Sequence, residues 1–161
     1  SKTRVELSPV NLQALISDLL REHPEFQAPH AQVTIDGRLE PVIGNVAYLT
    51  QCMTNLIGNA VKFVRPGLAP EVRIWTERRG DRVRLYVQDN GIGIPAESLG
   101  RVFEIFERVH ADSSYEGTGV GLAIVRRAVQ RMNGTIGVNS TEGQGTTFWI
   151  DLAAAGEVPS P

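Results

Sequence analysis

Two asparagines and a lysine, Asn55, Asn59 and Lys62, stand in an otherwise apolar stretch, Asn55-Leu56-Ile57-Gly58-Asn59-Ala60-Val61-Lys62-Phe63. At the helical step of roughly 100° per residue they fall within about 60° of one another, so two amides and an ammonium form one stripe. Amide oxygens suit a hard cation such as Mg2+, and an ammonium suits a phosphate. Asparagine inside a helix costs roughly a few tenths of a kcal/mol relative to alanine, so something else favours it here. On the helix alone, the stripe reads first as a solvated polar face. Two glycine segments further along shift that balance.

The first is Asp89-Asn90-Gly91-Ile92-Gly93. Asn-Gly after a strand is a turn signal in its own right. A second reading is more specific. An ionised carboxylate only accepts hydrogen bonds, and adenine offers an exocyclic amine where guanine offers a carbonyl. Gly91 and Gly93 would let the backbone approach a purine closely. The second segment is Gly117-Thr118-Gly119-Val120-Gly121, which leads into a helix. A glycine-rich turn at a helix N-terminus is an anion site; it is equally a hinge for a lid, and the two readings are compatible. Neither segment has G-x-x-x-x-G-K-[ST] spacing, and the second follows a polar loop rather than a strand, so neither a P-loop nor a Rossmann fingerprint fits.

The elements that must position these residues follow from hydrophobic period. Val5 to Leu7 reads as a short strand, and Pro9 as the start of a helix to about Arg21. Residues 24–31 read as a polar loop, Gln32 to Asp36 as a strand, and Val42-Ile43 as another. A long helix is expected from Val46 to Val64, with Val46, Leu49, Cys52, Met53, Leu56, Ile57, Ala60, Val61 and Val64 facing a core. A hairpin of Glu71–Arg78 and Arg82–Gln88 turns at Gly80-Asp81. A short helix spans Ala96 to Phe103, and residues 107–118 read as a mobile loop. A third long helix covers Gly119 to Met132, stopped by Asn133-Gly134. Thr135–Asn139 and Thr146–Leu152 close the domain as a hairpin, and a flexible tail is expected over 153–161. The implied class is an α/β two-layer sandwich, a mixed, mostly antiparallel sheet with three main helices on one face.

Composition bounds the partners. With 161 residues and a net charge of −2, the chain fits one globular domain without an electrostatic demand for nucleic acid or an anionic membrane surface. Cys52 is the single cysteine and reads as a small buried hydrophobe in a reducing compartment. Trp75 and Trp149 read as core or sheet-surface aromatics. Arg126, Arg127 and Arg131 read as a solvated helix face or, alternatively, a docking surface. His23, His30 and His110 all read as solvated, with contact to a nucleotide the alternative at His110.

Taken in order, four boxes resemble the ATP-binding catalytic domain of bacterial sensor histidine kinases. Asn55 to Phe63 is similar to the family's N box and Asp89-Asn-Gly91-Ile-Gly93-Ile94 to its G1 box. Phe103-Glu-Ile-Phe106-Glu-Arg108 is similar to the F box, and Gly117-Thr-Gly119-Val-Gly121-Leu122-Ala to the G2 box. Glu142-Gly143-Gln-Gly145-Thr146-Thr-Phe148 resembles the closing hairpin. The resemblance covers about residues 5–152, and some phrases are similar to phytochrome-type kinases. It implies the Bergerat or GHKL fold, with ATP and Mg2+ as cofactors. It also implies roles. Asn59 would hold Mg2+, Asn55 would support phosphate or metal water, Lys62 would pair with phosphate and Phe63 would flank the nucleotide. Asp89 would read the adenine amine, and Gly117, Gly119 and Gly121 would contact phosphate through backbone N–H groups. Arg108 would approach the γ-phosphate when the lid closes. Gly91, Gly93, Ile94, Thr118, Val120, Leu122 and Thr146 complete the nucleotide site. ATP-hydrolysing relatives carry Glu where Asn55 stands; an amide is no general base, so transfer is favoured over hydrolysis.

The implied partners are a dimerisation domain carrying the phospho-acceptor histidine and a response-regulator receiver domain. Nucleic acid and direct membrane contact are not implied, and the cytoplasm is the expected location. No histidine of this chain lies in a His-acidic helical context. A catalytically silent nucleotide-binding module and a GHKL-type ATPase are the rival readings.

Overall fold

A computed structural model describes residues 5–104 and 121–156 of the chain. The first strand, β1, is Ser8–Val10, and it pairs antiparallel with β3, Val42–Gly44. The sequence expectation placed a strand at Val5–Leu7 and a helix from Pro9; Pro9 instead lies within β1, opposite Ile43. A two-stranded sheet has only edge strands, where the missing N–H of proline costs little. The helix α1 starts later, at Leu12–Glu22, because Asn11 caps it by accepting the Ala14 N–H at 3.0 Å. Leu12, Ile16 and Leu19 form its buried face. His23 and Pro24 end it, and a short 3₁₀ turn follows over Pro24–Phe26. His23 is half-buried rather than solvated. Its Nδ1 lies 2.9 Å from the Leu19 carbonyl, and its ring stacks on Phe26.

The central helix α2 is Val46–Lys62, capped by Asn45, which accepts the Tyr48 N–H at 3.0 Å. Leu49, Cys52, Met53, Leu56, Ile57 and Ala60 are buried along it. Full burial of such aliphatic side chains stabilises by about 1.5–3 kcal/mol each, which anchors the helix on the sheet. Val46 was expected in this stripe but is 59% exposed, and the buried face begins at Leu49. The helix stops at Lys62, before Val64, with the Phe63 N–H donating to the Asn59 carbonyl.

Strands β2 (Gln32–Ile35), β4 (Glu71–Arg79), β5 (Arg82–Asp89), β6 (Thr135–Ser140) and β7 (Thr146–Ala153) form one sheet in the order β2-β4-β5-β7-β6. Only β2 and β4 are parallel; the remaining pairs are antiparallel. Alternate residues Val72, Ile74, Val83, Leu85, Val87, Phe148, Ile150 and Leu152 are buried, while the intervening ones face away from that core. On the outer face Trp75 stacks on Tyr86 at 4.8 Å, and Arg73 and Arg84 cover Trp75 and Trp149. Both tryptophans are therefore sheet-surface residues.

The third helix, α3, is Gly121–Arg131 and buries Val125, Ala128 and Val129. Asn133 follows with φ of 60°, the left-handed conformation that ends a helix. Arg126 and Arg127 are exposed, as expected; Arg131 donates to the Tyr48 hydroxyl at 3.0 Å. The expected short helix at Ala96 is a 3₁₀ turn, Ala96–Arg101. The expected tail from residue 153 starts too early. Ala153 belongs to β7, Ala154 bridges Val42, and Ala155 is buried with its N–H on the Pro41 carbonyl. Residues 157–161 lie outside the described residues.

Candidate nucleotide-binding site

Asp89 is the last residue of β5, one beyond the strand end read from sequence, and it stands beside Thr146 at the start of β7. Its Oδ1 accepts the Gly91 N–H at 2.8 Å and the Thr146 N–H at 3.1 Å. Burial pushes the carboxyl up to about 6, while those two hydrogen bonds pull it down. It is ionised at neutral pH. Its Oδ2 takes no hydrogen bond from the described residues. One oxygen is thus held by the backbone and the other is left as an acceptor.

The glycine segment after Asp89 is held by close backbone approach. A Cβ on Gly91 would lie 2.4 Å from the Phe63 carbonyl oxygen, and one on Gly93 2.4 Å from that of Thr141. The Ile92 N–H donates to the Phe63 carbonyl at 2.9 Å, and the Gly143 N–H to the Ile92 carbonyl at 2.7 Å. Arg65 Nη2 donates to the Gly143 carbonyl at 3.0 Å and closes a ring joining the end of α2, the glycine segment and the β6–β7 turn. Ile94 is buried, and its N–H donates to Ser140 Oγ at 2.8 Å.

Asn55, Asn59 and Lys62 do share a face of α2. The Asn55 side-chain amide donates to the Gln51 carbonyl at 2.9 Å. Its Oδ1 points at the start of α3, since a Cβ on Gly121 would lie 2.9 Å away. The Asn59 side chain is half-buried and has no hydrogen-bond partner among the described residues. Lys62 is exposed, with Nζ 5.9 Å from the centre of the Phe63 ring. Leu122 packs against the core below. So the N-box asparagine meets the end of the glycine-rich segment, as two elements distant in sequence must to share a ligand. Arg108, Gly117, Thr118, Gly119 and Val120, together with Phe106, His110 and the expected lid at 107–118, lie outside the described residues.

Sequence reasoning did not foresee Ser140, Thr141 and Arg65 as supports of this site. The signal was present in the turn Glu142-Gly143-Gln144-Gly145, where Gly143 and Gly145 have φ of 84° and 92°. A Cβ on Gly145 would stand 2.1 Å from the Asp89 carbonyl oxygen. A concavity of about 380 Å³ reaches this site: Asp89 and Asn90 line it together with Gln32, Thr34, Arg73 and Gln88.

Known proteins resemble this chain in sequence and in fold. Residues 44–156 match the family model described as histidine kinase-, DNA gyrase B-, and HSP90-like ATPase. The sensor histidine kinase AruS of Pseudomonas aeruginosa is 41% identical over 157 residues, covering 90% of this chain and 15% of the relative. The phytochrome-like protein Cph1 of Synechocystis sp. is 38% identical over 116 residues, covering 72% of this chain and 15% of the relative. This chain therefore spans about 15% of the length of these curated relatives. Among solved structures, the mycobacterial sensor histidine kinase MprB superposes with a TM-score of 0.78 at 26% identity, covering 91% of this chain and 98% of that one. Full-length ShkA in complex with AMPPNP gives a TM-score of 0.78 at 31% identity, covering 96% of this chain and 33% of that one. With the family model matched over residues 44–156 and the fold superposing on solved catalytic domains, the chain belongs to the histidine kinase-, DNA gyrase B-, and HSP90-like ATPase family, and its fold is that of histidine kinase catalytic domains.

Proposed function

We propose that this chain is the catalytic domain of a sensor histidine kinase, binding Mg-ATP and presenting the γ-phosphate to a histidine on a dimerisation domain. From that histidine the phosphoryl group passes to an aspartate of a receiver domain. The observation that carries the reading is Asp89, held through Oδ1 by two backbone N–H groups, with no hydrogen bond to Oδ2 among the described residues. An acceptor-only group so fixed favours an adenine amine and repels a 6-carbonyl. The structure of ShkA with AMPPNP supports an adenine nucleotide in this fold.

The remaining roles follow by position. Asn59 offers an amide oxygen with no partner among the described residues, a hard donor that fits Mg2+. Among the described residues no group of three or more His, Cys, Asp or Glu could hold a metal. Asn59 would therefore hold the ion without a carboxylate cluster, and the ion would supply positive charge to the phosphates. Lys62 supplies a point charge to phosphate, and the start of α3 supplies N–H groups and a positive dipole end. Phosphoryl transfer is mostly positioning and charge stabilisation. The γ-phosphorus–oxygen bond to ADP breaks as the bond to the histidine nitrogen forms, and the protein holds the two in line. Asn55 cannot take a proton from water, which keeps hydrolysis from competing. A cytoplasmic location is inferred with that use of ATP. Among the described residues no helix is long and apolar enough to cross a membrane.

Calorimetric titration of the chain with ADP, with and without Mg2+, tests this reading. Saturable, Mg2+-dependent binding that weakens by about tenfold or more in Asp89→Asn is expected, together with negligible ATP hydrolysis. Absence of binding would leave the silent module; steady hydrolysis would return the chain to the ATPase group.

A further inference from the structure

Ser140, the last residue of β6, gathers three hydrogen bonds on one hydroxyl. Its Oγ accepts the Ile94 N–H at 2.8 Å, donates to the Gly145 carbonyl at 2.9 Å, and lies 2.9 Å from Thr146 Oγ1. A serine hydroxyl has one proton and two lone pairs. With that proton on Gly145, the third contact is the Thr146 hydroxyl donating to Ser140, and the group is fully used. Two segments meet there. Ile94 ends the glycine segment that supplies the Gly91 N–H to Asp89, and Thr146 supplies the other N–H. Both donors that hold Asp89 Oδ1 are therefore tied to one another through Ser140, which does not touch Asp89.

We propose that Ser140 is a positioning residue that sets the purine selectivity of the site, by fixing the two backbone donors that aim Asp89. The inference rests on the reading of Asp89 as the group that recognises an adenine amine. Direction matters here because one Asp89 oxygen is bound and the other takes no hydrogen bond among the described residues. If the Gly91 and Thr146 donors drift apart, Oδ1 loses its fixed seat and Oδ2 no longer points one way. A loosened carboxylate discriminates poorly between an amine and a carbonyl at the purine 6-position, while phosphate contacts from α2 and α3 persist.

The test compares affinities for ADP and IDP by calorimetry in the native chain, Ser140→Ala and Ser140→Thr. The native chain should prefer ADP. Ser140→Ala should lose about tenfold of that preference, mostly through weaker ADP binding, as for one lost hydrogen bond. Ser140→Thr keeps the hydroxyl and should restore it. A merely structural role would weaken both nucleotides equally, so an unchanged ADP-to-IDP ratio in Ser140→Ala overturns the proposal. Should Ser140→Ala unfold, Ser140→Cys keeps the shape with a poor acceptor, and its ratio is read by the same criterion. A native chain that binds both nucleotides equally removes the Asp89 reading and this inference together. A native preference that survives at position 140 removes only the inference.

Discussion

In its proposed role, Asp89 is a case where one side chain serves binding at the expense of stability. In the unfolded chain its carboxyl titrates near 3.8, and in the native state near 6, because burial outweighs two hydrogen bonds. The native state thus binds more protons between those values, so stability falls as pH rises through the window and stays low above it. Below the lower value both states are protonated and the penalty vanishes. Asp89→Asn retains an oxygen for the Gly91 and Thr146 N–H groups without the charge. At pH 7.5 the variant should be more stable than the native chain by on the order of 2–3 kcal/mol, with the gap closing by about pH 4. Urea titrations at the two pH values measure this, and a gap of constant size contradicts it. The same variant loses ADP affinity, because an amide turned to seat both N–H groups presents its own N–H₂ to the adenine amine.

At the scale of elements, two glycines in the site boxes have opposite physical reasons. Gly145 has φ of 92°, and a Cβ there would meet the Asp89 carbonyl oxygen at 2.1 Å. Gly145→Ala should destabilise by about 2–4 kcal/mol and abolish nucleotide binding, since the β6–β7 turn would have to leave the glycine segment. Gly58 lies inside α2, where a Cβ would meet nothing within 4 Å. Gly58→Ala should stabilise by about 0.5–1 kcal/mol, through helix propensity and reduced freedom of the unfolded chain. Thermal unfolding of both variants decides, and similar losses in the two would show that packing around α2 has been misjudged. These glycines also mark what was legible beforehand. The period of Leu49, Cys52, Met53, Leu56 and Ile57 exposes α2 directly, and alternation exposes β4, β5 and β7. Pro9 misled because a proline near an apolar run suits a helix start as well as an edge strand, and only the pairing with Ile43 separates them. Ser140 and Arg65 were illegible because their importance lies in contacts 46 and 78 residues away along the chain.

In the whole molecule the proposed phosphate contacts are divided between α2 and α3, and Cys52 lies where those helices pack. Its side chain is fully buried, its Sγ lies 3.9 Å from the Val125 carbonyl, and burial pushes the thiol up to about 12. It is the only cysteine in the chain. A thiol so placed reacts only when α3 separates from α2 or the whole domain unfolds, since the thiolate is the reactive form and neither it nor a reagent fits the closed interface. In that regime the labelling rate is the opening equilibrium multiplied by the rate for a free cysteine. A nucleotide held by Asn59 and Lys62 on one helix and by the start of α3 on the other would bind only the closed state. It should then slow labelling in proportion to its saturation, by about a hundredfold when free Mg-ADP is a hundred times its dissociation constant. Labelling with a neutral-pH disulfide reagent, with and without Mg-ADP, measures this. Slow labelling that Mg-ADP leaves unchanged would mean that the nucleotide does not bridge the two helices. Fast labelling in the folded chain would mean that the α2–α3 interface is open to reagent.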